Sequence, residues 1–61
     1  MNQKQFSKFV SKTRKITGLS QQKFGAAIGR SWITIWRWEK GINLPDEQMI
    51  DFWKDKINDS F

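Results

Sequence analysis

The sequence predicts an all-α fold, a small bundle of four to five short helices. A chain of 61 residues has room for a single domain with one small hydrophobic core. Its apolar residues recur at steps of three and four, which is the spacing of one face of a helix. Helix breakers divide the chain at short intervals, and they are Gly18, Gly25, Gly29, Gly41 and Pro45. Short helices joined by tight turns account for all of these features.

The first helix is predicted over residues 3 to 16. Six residues at helical spacing would form its buried face: Phe6, Phe9, Val10, Thr13, Ile16 and Thr17. Four lysines occupy the opposite face: Lys4, Lys8, Lys12 and Lys15. A row of this kind is more typical of a solvated face than of a binding surface.

A second helix of about eight residues is predicted after Ser20, a good N-cap. Phe24, Ala27 and Ile28 would face inward, and Gly29 would end the helix in the left-handed conformation.

A third helix is predicted from Trp32 to about Lys40, capped by Ser31 and ended by Gly41. Ile35 and Trp38 would be its buried residues. Because only about three residues separate it from the second helix, the two must cross steeply, as in a helix-turn-helix.

The last helix is predicted over about residues 46–58, after Pro45. Its apolar face, with Met49, Ile50 and Ile57, is wider than a small core needs. We therefore expect part of it to form a two-fold homodimer contact, made by Phe52, Trp53 and Phe61. Its carboxylates recur at steps of four, at Glu47, Asp51, Asp55 and Asp59. With no supporting ligand they indicate a solvated face rather than a cation site.

Charge is distributed unevenly along the chain, whose net charge is +5. Residues 1–45 hold nine basic residues and one acidic residue, a net +8, whereas residues 46–61 hold two basic and five acidic, a net −3. A basic body with an acidic end indicates a polyanionic partner for the body. A protein that merely has a high isoelectric point is the plainer interpretation.

Several function classes are disfavoured by composition. The chain has no cysteine and no histidine, so it lacks the commonest nucleophile, neutral-pH base and metal ligands. We expect no enzyme, no metal and no cofactor. No apolar run approaches the ~20 residues that span a bilayer, and the N-terminus lacks a signal-peptide core. A soluble cytoplasmic protein is expected.

Residues 18–41, GLSQQKFGAAIGRSWITIWRWEKG, resemble the helix-turn-helix of the phage repressor and Cro family, also called the Xre family. With the preceding helix the resemblance covers residues 6–45. It implies a lambda repressor-like DNA-binding domain over 1–61, with its helix-turn-helix at about 20–40. It also implies an ion pair between Arg14 and Glu39, since the family carries an arginine and a glutamate at the matching positions.

The sequence departs from the family pattern at three places. Arg30 stands where the family has an apolar turn residue, so either the turn is less well packed or the arginine extends to a phosphate. Gly25 replaces the commoner alanine, which permits close approach of the second and third helices at a cost of ~1 kcal/mol in helix propensity. No counterpart of the family's fifth helix precedes Phe61.

The resemblance implies that the third helix reads bases in the major groove of double-stranded DNA. Helical geometry turns one side of it outward, and the predicted base-contacting residues are Trp32, Ile33, Trp36 and Arg37. The predicted backbone-contacting residues are Gln21, Lys23, Arg30, Ser31, Lys40 and Asn43. The exposed apolar members also have an ordinary explanation, since single apolar residues are common on protein surfaces.

The expected function is therefore that of a sequence-specific transcriptional regulator, a Cro-like repressor that binds an inverted-repeat operator as a homodimer. Two alternatives stay open. One is a protein-binding module of antitoxin or inhibitor type that uses the same surface, and the other is a nucleic-acid binder of low specificity.

Overall fold

The computed structural model describes all 61 residues and contains four helices and no strand. Helix α1 is Gln3–Thr17, α2 is Gln21–Ile28, α3 is Trp32–Lys40 and α4 is Glu47–Ser60. The predicted all-α bundle is confirmed, with four helices rather than five. None of the four combines the length and the apolar character that a bilayer span requires.

Side chains cap three of the four helix N-termini. Asn2 and Gln5 form a reciprocal capping box on α1, Ser20 accepts a hydrogen bond from the amide of Lys23, and Asp46 accepts one from the amide of Met49.

The N-terminus of α3 differs from the other three. Ser31 occupies the N-cap position but makes no capping hydrogen bond, and its Oγ lies 3.3 Å from Oγ1 of Thr34 instead. The predicted Ser31 cap is therefore wrong in its hydrogen bond, although the helix begins where expected. The amides at the start of α3 remain unsatisfied by this side chain.

The connections on either side of α2 and after α3 depend on glycine. Gly18, Gly29 and Gly41 have φ angles of 73°, 78° and 77°, and each closes the preceding helix with backbone hydrogen bonds. The predicted helix ends at Gly29 and Gly41 are confirmed.

All four helices contribute to one core of nine buried residues, which are Phe6, Val10, Phe24, Ile28, Ile35, Trp38, Ile50, Trp53 and Ile57. Several residues predicted to face inward lie outside it: Phe9, Thr13 and Thr17 are half-buried, and Ile16, Ala27 and Met49 are exposed. Ile16 is 76% exposed, because ten residues after Phe6 it has rotated about 80° away from the buried face. Ala27 is exposed because α3 packs against the Gly25 side of α2 instead.

Gly25 is the point of closest approach between α2 and the start of α3. A Cβ atom there would overlap the carbonyl oxygen of Arg30 and lie 3.2 Å from Cγ1 of Ile35. The amide of Arg30 donates a 2.8 Å hydrogen bond to the carbonyl oxygen of Gly25. The close approach predicted from this glycine is therefore present, and it fixes how the turn leads into α3.

Trp53 is a core residue, and its assignment to a dimer interface is wrong. It is 7% exposed, and its ring centroid lies 5.5 Å from that of Trp38 and 5.0 Å from that of Phe52. The large ring fills the space between α3 and α4. Phe52 is 53% exposed, whereas Phe61 is half covered because its ring stacks on Phe24 at 4.7 Å.

Candidate nucleic-acid interface

Helix α3 packs against the core through one side, and its other side is exposed to solvent. Ile35 and Trp38 are buried in the core. Trp32, Trp36 and Arg37 are exposed on the remaining surface, the two tryptophans by 50% and 37%. The exposed side chains therefore lie on the part of α3 that does not pack against another helix.

Ile33 differs from the other three residues predicted to contact bases. It is half-buried, whereas Trp32, Trp36 and Arg37 are exposed. Its partly covered position leaves a smaller apolar surface free for a ligand than helical geometry alone predicts.

The charged groups on this side of the domain have no partner in the chain. The structure contains two ion pairs, the Met1 ammonium with Asp51 and Arg14 with Glu39. The guanidinium of Arg37, with its planar fork of donors, is therefore left for an external acceptor. The ammonium groups of Lys23 and Lys40 are likewise unpaired.

The N-terminus of α2 lies beside Trp32. Ser20, Gln21, Gln22 and Trp32 line one shallow open depression, so the structure brings together a predicted backbone-contacting residue and a predicted base-contacting residue. The amides of Gln21 and Gln22 have no acceptor in the chain, because the Ser20 side chain caps only the amide of Lys23. Free amides at a helix N-terminus favour a bound anion.

Gln22 is the member of this depression that the sequence did not single out. Its exposed side chain lies next to Gln21 in the first turn of α2. Its place in the first turn of α2, next to Gln21, could have been recognised from the sequence. The contribution of Trp32 to one wall was not predictable, because it depends on how α2 and α3 pack.

Three other predicted backbone-contacting residues do not line this depression. Ser31 is exposed in the turn before α3, and Asn43 is exposed after it with a φ of 50°. Lys40, at the end of α3, lines a second open depression together with Lys4 and Lys8 of α1.

Arg30 is exposed, and its guanidinium also contacts the protein itself. Its guanidinium carbon lies 4.4 Å from the ring centroid of Trp53, a cation–π contact that joins the turn to α4. The arginine thus covers a buried aromatic ring, which explains how a charged residue occupies a position where an apolar one is expected.

Arg14 of α1 and Glu39 of α3 form an ion pair on the side of α3 that faces α1. Nε and Nη2 of Arg14 donate to the two carboxylate oxygens of Glu39 at 2.6 and 3.0 Å, and Nη1 donates to the carbonyl oxygen of Leu19 at 3.1 Å. The hydrogen bond to Glu39 raises the pKa of Arg14 above its usual value, and burial opposes that effect. The pair ties α1 to α3 and to the connection before α2.

The chain has no family model, curated protein or solved structure that matches it. Its function has to be inferred from this surface. The arrangement offers one bidentate donor, two exposed indole rings, a helix N-terminus with free amides and several unpaired ammonium groups. It contains no group of three or more acidic side chains placed to hold a metal ion.

Proposed function

We propose that this protein binds double-stranded DNA sequence-specifically by inserting α3 into the major groove, and that it represses transcription by occupying an operator, as Cro-like proteins do. The observation that carries the proposal is the unpaired Arg37 on the exposed side of α3, which also carries the exposed rings of Trp32 and Trp36. The free amides of α2 lie beside Trp32. A planar guanidinium fork matches O6 and N7 of guanine in the major groove.

Base readout is assigned to the exposed side of α3. Arg37 supplies directional hydrogen bonds, and Trp32 and Trp36 supply apolar contact of the kind that thymine methyl groups accept. Ile33 contributes a smaller apolar contact, in keeping with its half-buried position.

Backbone contacts are assigned to the groups that flank α3. These are Gln21, Lys23, Ser31, Lys40 and Asn43, with the free amides at the start of α2. They fix the register on DNA without reading its sequence. We assign Arg30 to packing of the turn, because its guanidinium lies over Trp53.

A homodimer on an inverted-repeat operator completes the proposal. One short α3 reads few base pairs, and two copies would reach half-sites one helical turn, ~34–36 Å, apart. Phe52 and Phe61 remain the candidate contact residues on the α4 side of the molecule, since both expose about half of their surface. A protein with this activity would work in the cytoplasm, on the nucleoid of a bacterium or an infected host.

Selection of bound duplexes from a random-sequence library tests the proposal. The selection is made near physiological salt, where non-specific binding is weak. An enriched inverted repeat is the expected result. A single asymmetric site would retain DNA recognition and remove the dimer, whereas no enrichment would refute sequence-specific binding.

A protein-binding function is the second candidate, and the exposure of two neighbouring tryptophans favours it. Trp32 and Trp36 are 50% and 37% exposed, and tryptophan is among the residues that dominate binding energy at protein interfaces. Binding of a protein partner through these rings would depend little on salt, whereas DNA binding would weaken steeply as salt rises.

A further inference from the structure

The outward face of α1 carries four lysines with no partner in the chain. Lys4, Lys8, Lys12 and Lys15 are exposed, and neither ion pair of the structure involves them. At 100° per residue they fall within about 80° of one another, on the side opposite Phe6. We call them the lysine face.

The lysine face also exposes apolar surface. One open depression is lined by Lys8, Ser11, Lys12, Lys15 and Ile16. Ile16 is the most exposed large apolar side chain of the protein. A partner docked on the lysine face would therefore cover apolar surface as well as neutralise charge.

Helix α4 carries a complementary row of charges. Glu47, Asp51, Asp55 and Asp59 are exposed and lie within about 120° of one another, in a row that begins about 60° from Ile50 and ends opposite it. Asp51 is 3.9 Å from the Met1 ammonium, and the other three carboxylates have no ion-pair partner. We call these four residues the carboxylate face.

The two faces match in length as well as in sign. At 1.5 Å per residue the lysine face runs about 17 Å along α1, and the carboxylate face runs about 18 Å along α4. No ion pair joins them within one copy. Both faces point away from the core, so each is accessible to another molecule.

We propose that the carboxylate face of one copy docks on the lysine face of another, so that this protein associates with itself head to tail. Charge complementarity identifies the partner as a second copy, because a nucleic acid would neutralise the lysines and leave the carboxylates without a partner. Each copy carries one face of each kind, so the contact repeats from copy to copy unless it closes on itself, and the smallest closed form is a two-fold dimer that makes the contact twice.

The strength of this association depends on ionic strength. Exposed ion pairs are individually weak, and the Debye length falls from ~30 Å at 0.01 M salt to ~8 Å at 0.15 M. Self-association is therefore expected at low salt and is lost as salt rises. The inference goes beyond DNA binding and does not rest on it.

Sedimentation velocity at low salt tests the contact with three variants. Lys8→Glu with Lys12→Glu reverses the charge of two of the four residues of the lysine face, and Asp55→Lys with Asp59→Lys does the same on the carboxylate face, so that the altered face has no net charge. Each double variant should weaken self-association at least ~10-fold, since the altered face then has no net charge and its two substituted residues repel the opposite face. The quadruple variant gives the four substituted residues opposite signs across the contact again, keeps the wild-type net charge of +5 and should associate again.

Three results would overturn the proposal. They are a wild-type protein that stays monomeric at low salt and millimolar concentration, double variants that associate as the wild type does, and a folded quadruple variant that stays monomeric. Circular dichroism of each variant establishes that it is folded. If the lysine substitutions lower DNA affinity and leave self-association unchanged, the lysines serve DNA and the contact is refuted.

Discussion

The guanidinium of Arg30 lies over the ring of Trp53, with 4.4 Å between Cζ and the ring centroid. This contact fastens the turn between α2 and α3 to α4. Trp53 also packs on Trp38 of α3. The contact of Arg30 therefore joins the turn to an aromatic cluster that α3 and α4 share.

Replacing Arg30 by alanine should destabilise the fold by about 0.5–2 kcal/mol, the range of a cation–π contact. Urea unfolding followed by circular dichroism measures the change. Arg30→Met is the matched control, because it keeps an apolar stem of similar length over the ring and removes only the charge. Equal stability of all three proteins would show that the contact contributes nothing.

Breaking the pair between Arg14 and Glu39 should cost about 2 kcal/mol. The side chains are 20% and 10% exposed, so the cost lies between that of an exposed pair, ~0.2–1 kcal/mol, and that of a buried pair, ~3–5 kcal/mol. A double-mutant cycle with Arg14→Met and Glu39→Gln isolates the coupling. Strictly additive effects of the two substitutions would contradict it.

Substituting Gly25 by alanine should destabilise the protein by about 1–3 kcal/mol, although alanine is the better helix former. The added Cβ would overlap the carbonyl oxygen of Arg30, so the turn must shift. The control is Ala27→Gly at an exposed position of the same helix, where the expected loss is ~1 kcal/mol from propensity alone. A Gly25→Ala protein as stable as the wild type would mean that the turn moves freely.

Arg37 and Lys23 should affect DNA binding in different ways. Arg37→Lys keeps the charge but loses the fork, so it should cost about 1–3 kcal/mol at one base position and relax the preference there. Lys23→Ala should weaken binding to all sequences and reduce the log–log salt slope by ~0.9. Titrations of the selected site and of single-base variants at several salt concentrations separate the two. The assignment fails if Arg37→Lys lowers affinity for every sequence alike.

Phe52 should matter more for pairing on DNA than for folding. It is 53% exposed, so Phe52→Ser removes one edge-on contact with Trp53 and leaves the nine core residues in place. The expected result is loss of cooperative binding to an inverted repeat with unchanged affinity for one half-site. Undiminished cooperativity would exclude Phe52 from the contact between copies.

The sequence predicted most of the fold because its helix ends are locally encoded. Ser20 and the glycines at 29 and 41 act within their own turns, so their effects follow from residue type. The contact between Arg30 and Trp53 could not be predicted from residue type. From the sequence alone, either side chain could face solvent, a ligand or the core. Their contact depends on how α4 packs against the turn.

The candidate site, like the fold, could be predicted only where one helix determines it. The exposed positions of Trp32, Trp36 and Arg37 were expected from the spacing of Ile35 and Trp38. The depression that Trp32 forms with the start of α2 depends on two helices together, and only the structure reveals it.

The tryptophans of this protein divide equally between the interior and the surface. Trp38 and Trp53 are buried, whereas Trp32 and Trp36 are exposed on α3. Intrinsic fluorescence therefore carries two independent signals in one unlabelled protein. The emission of the buried pair should shift to longer wavelength on unfolding, and acrylamide should quench the exposed pair until a ligand covers α3. Any molecule that binds elsewhere would leave that quenching unchanged, so a simple titration locates the binding face without labelling the protein.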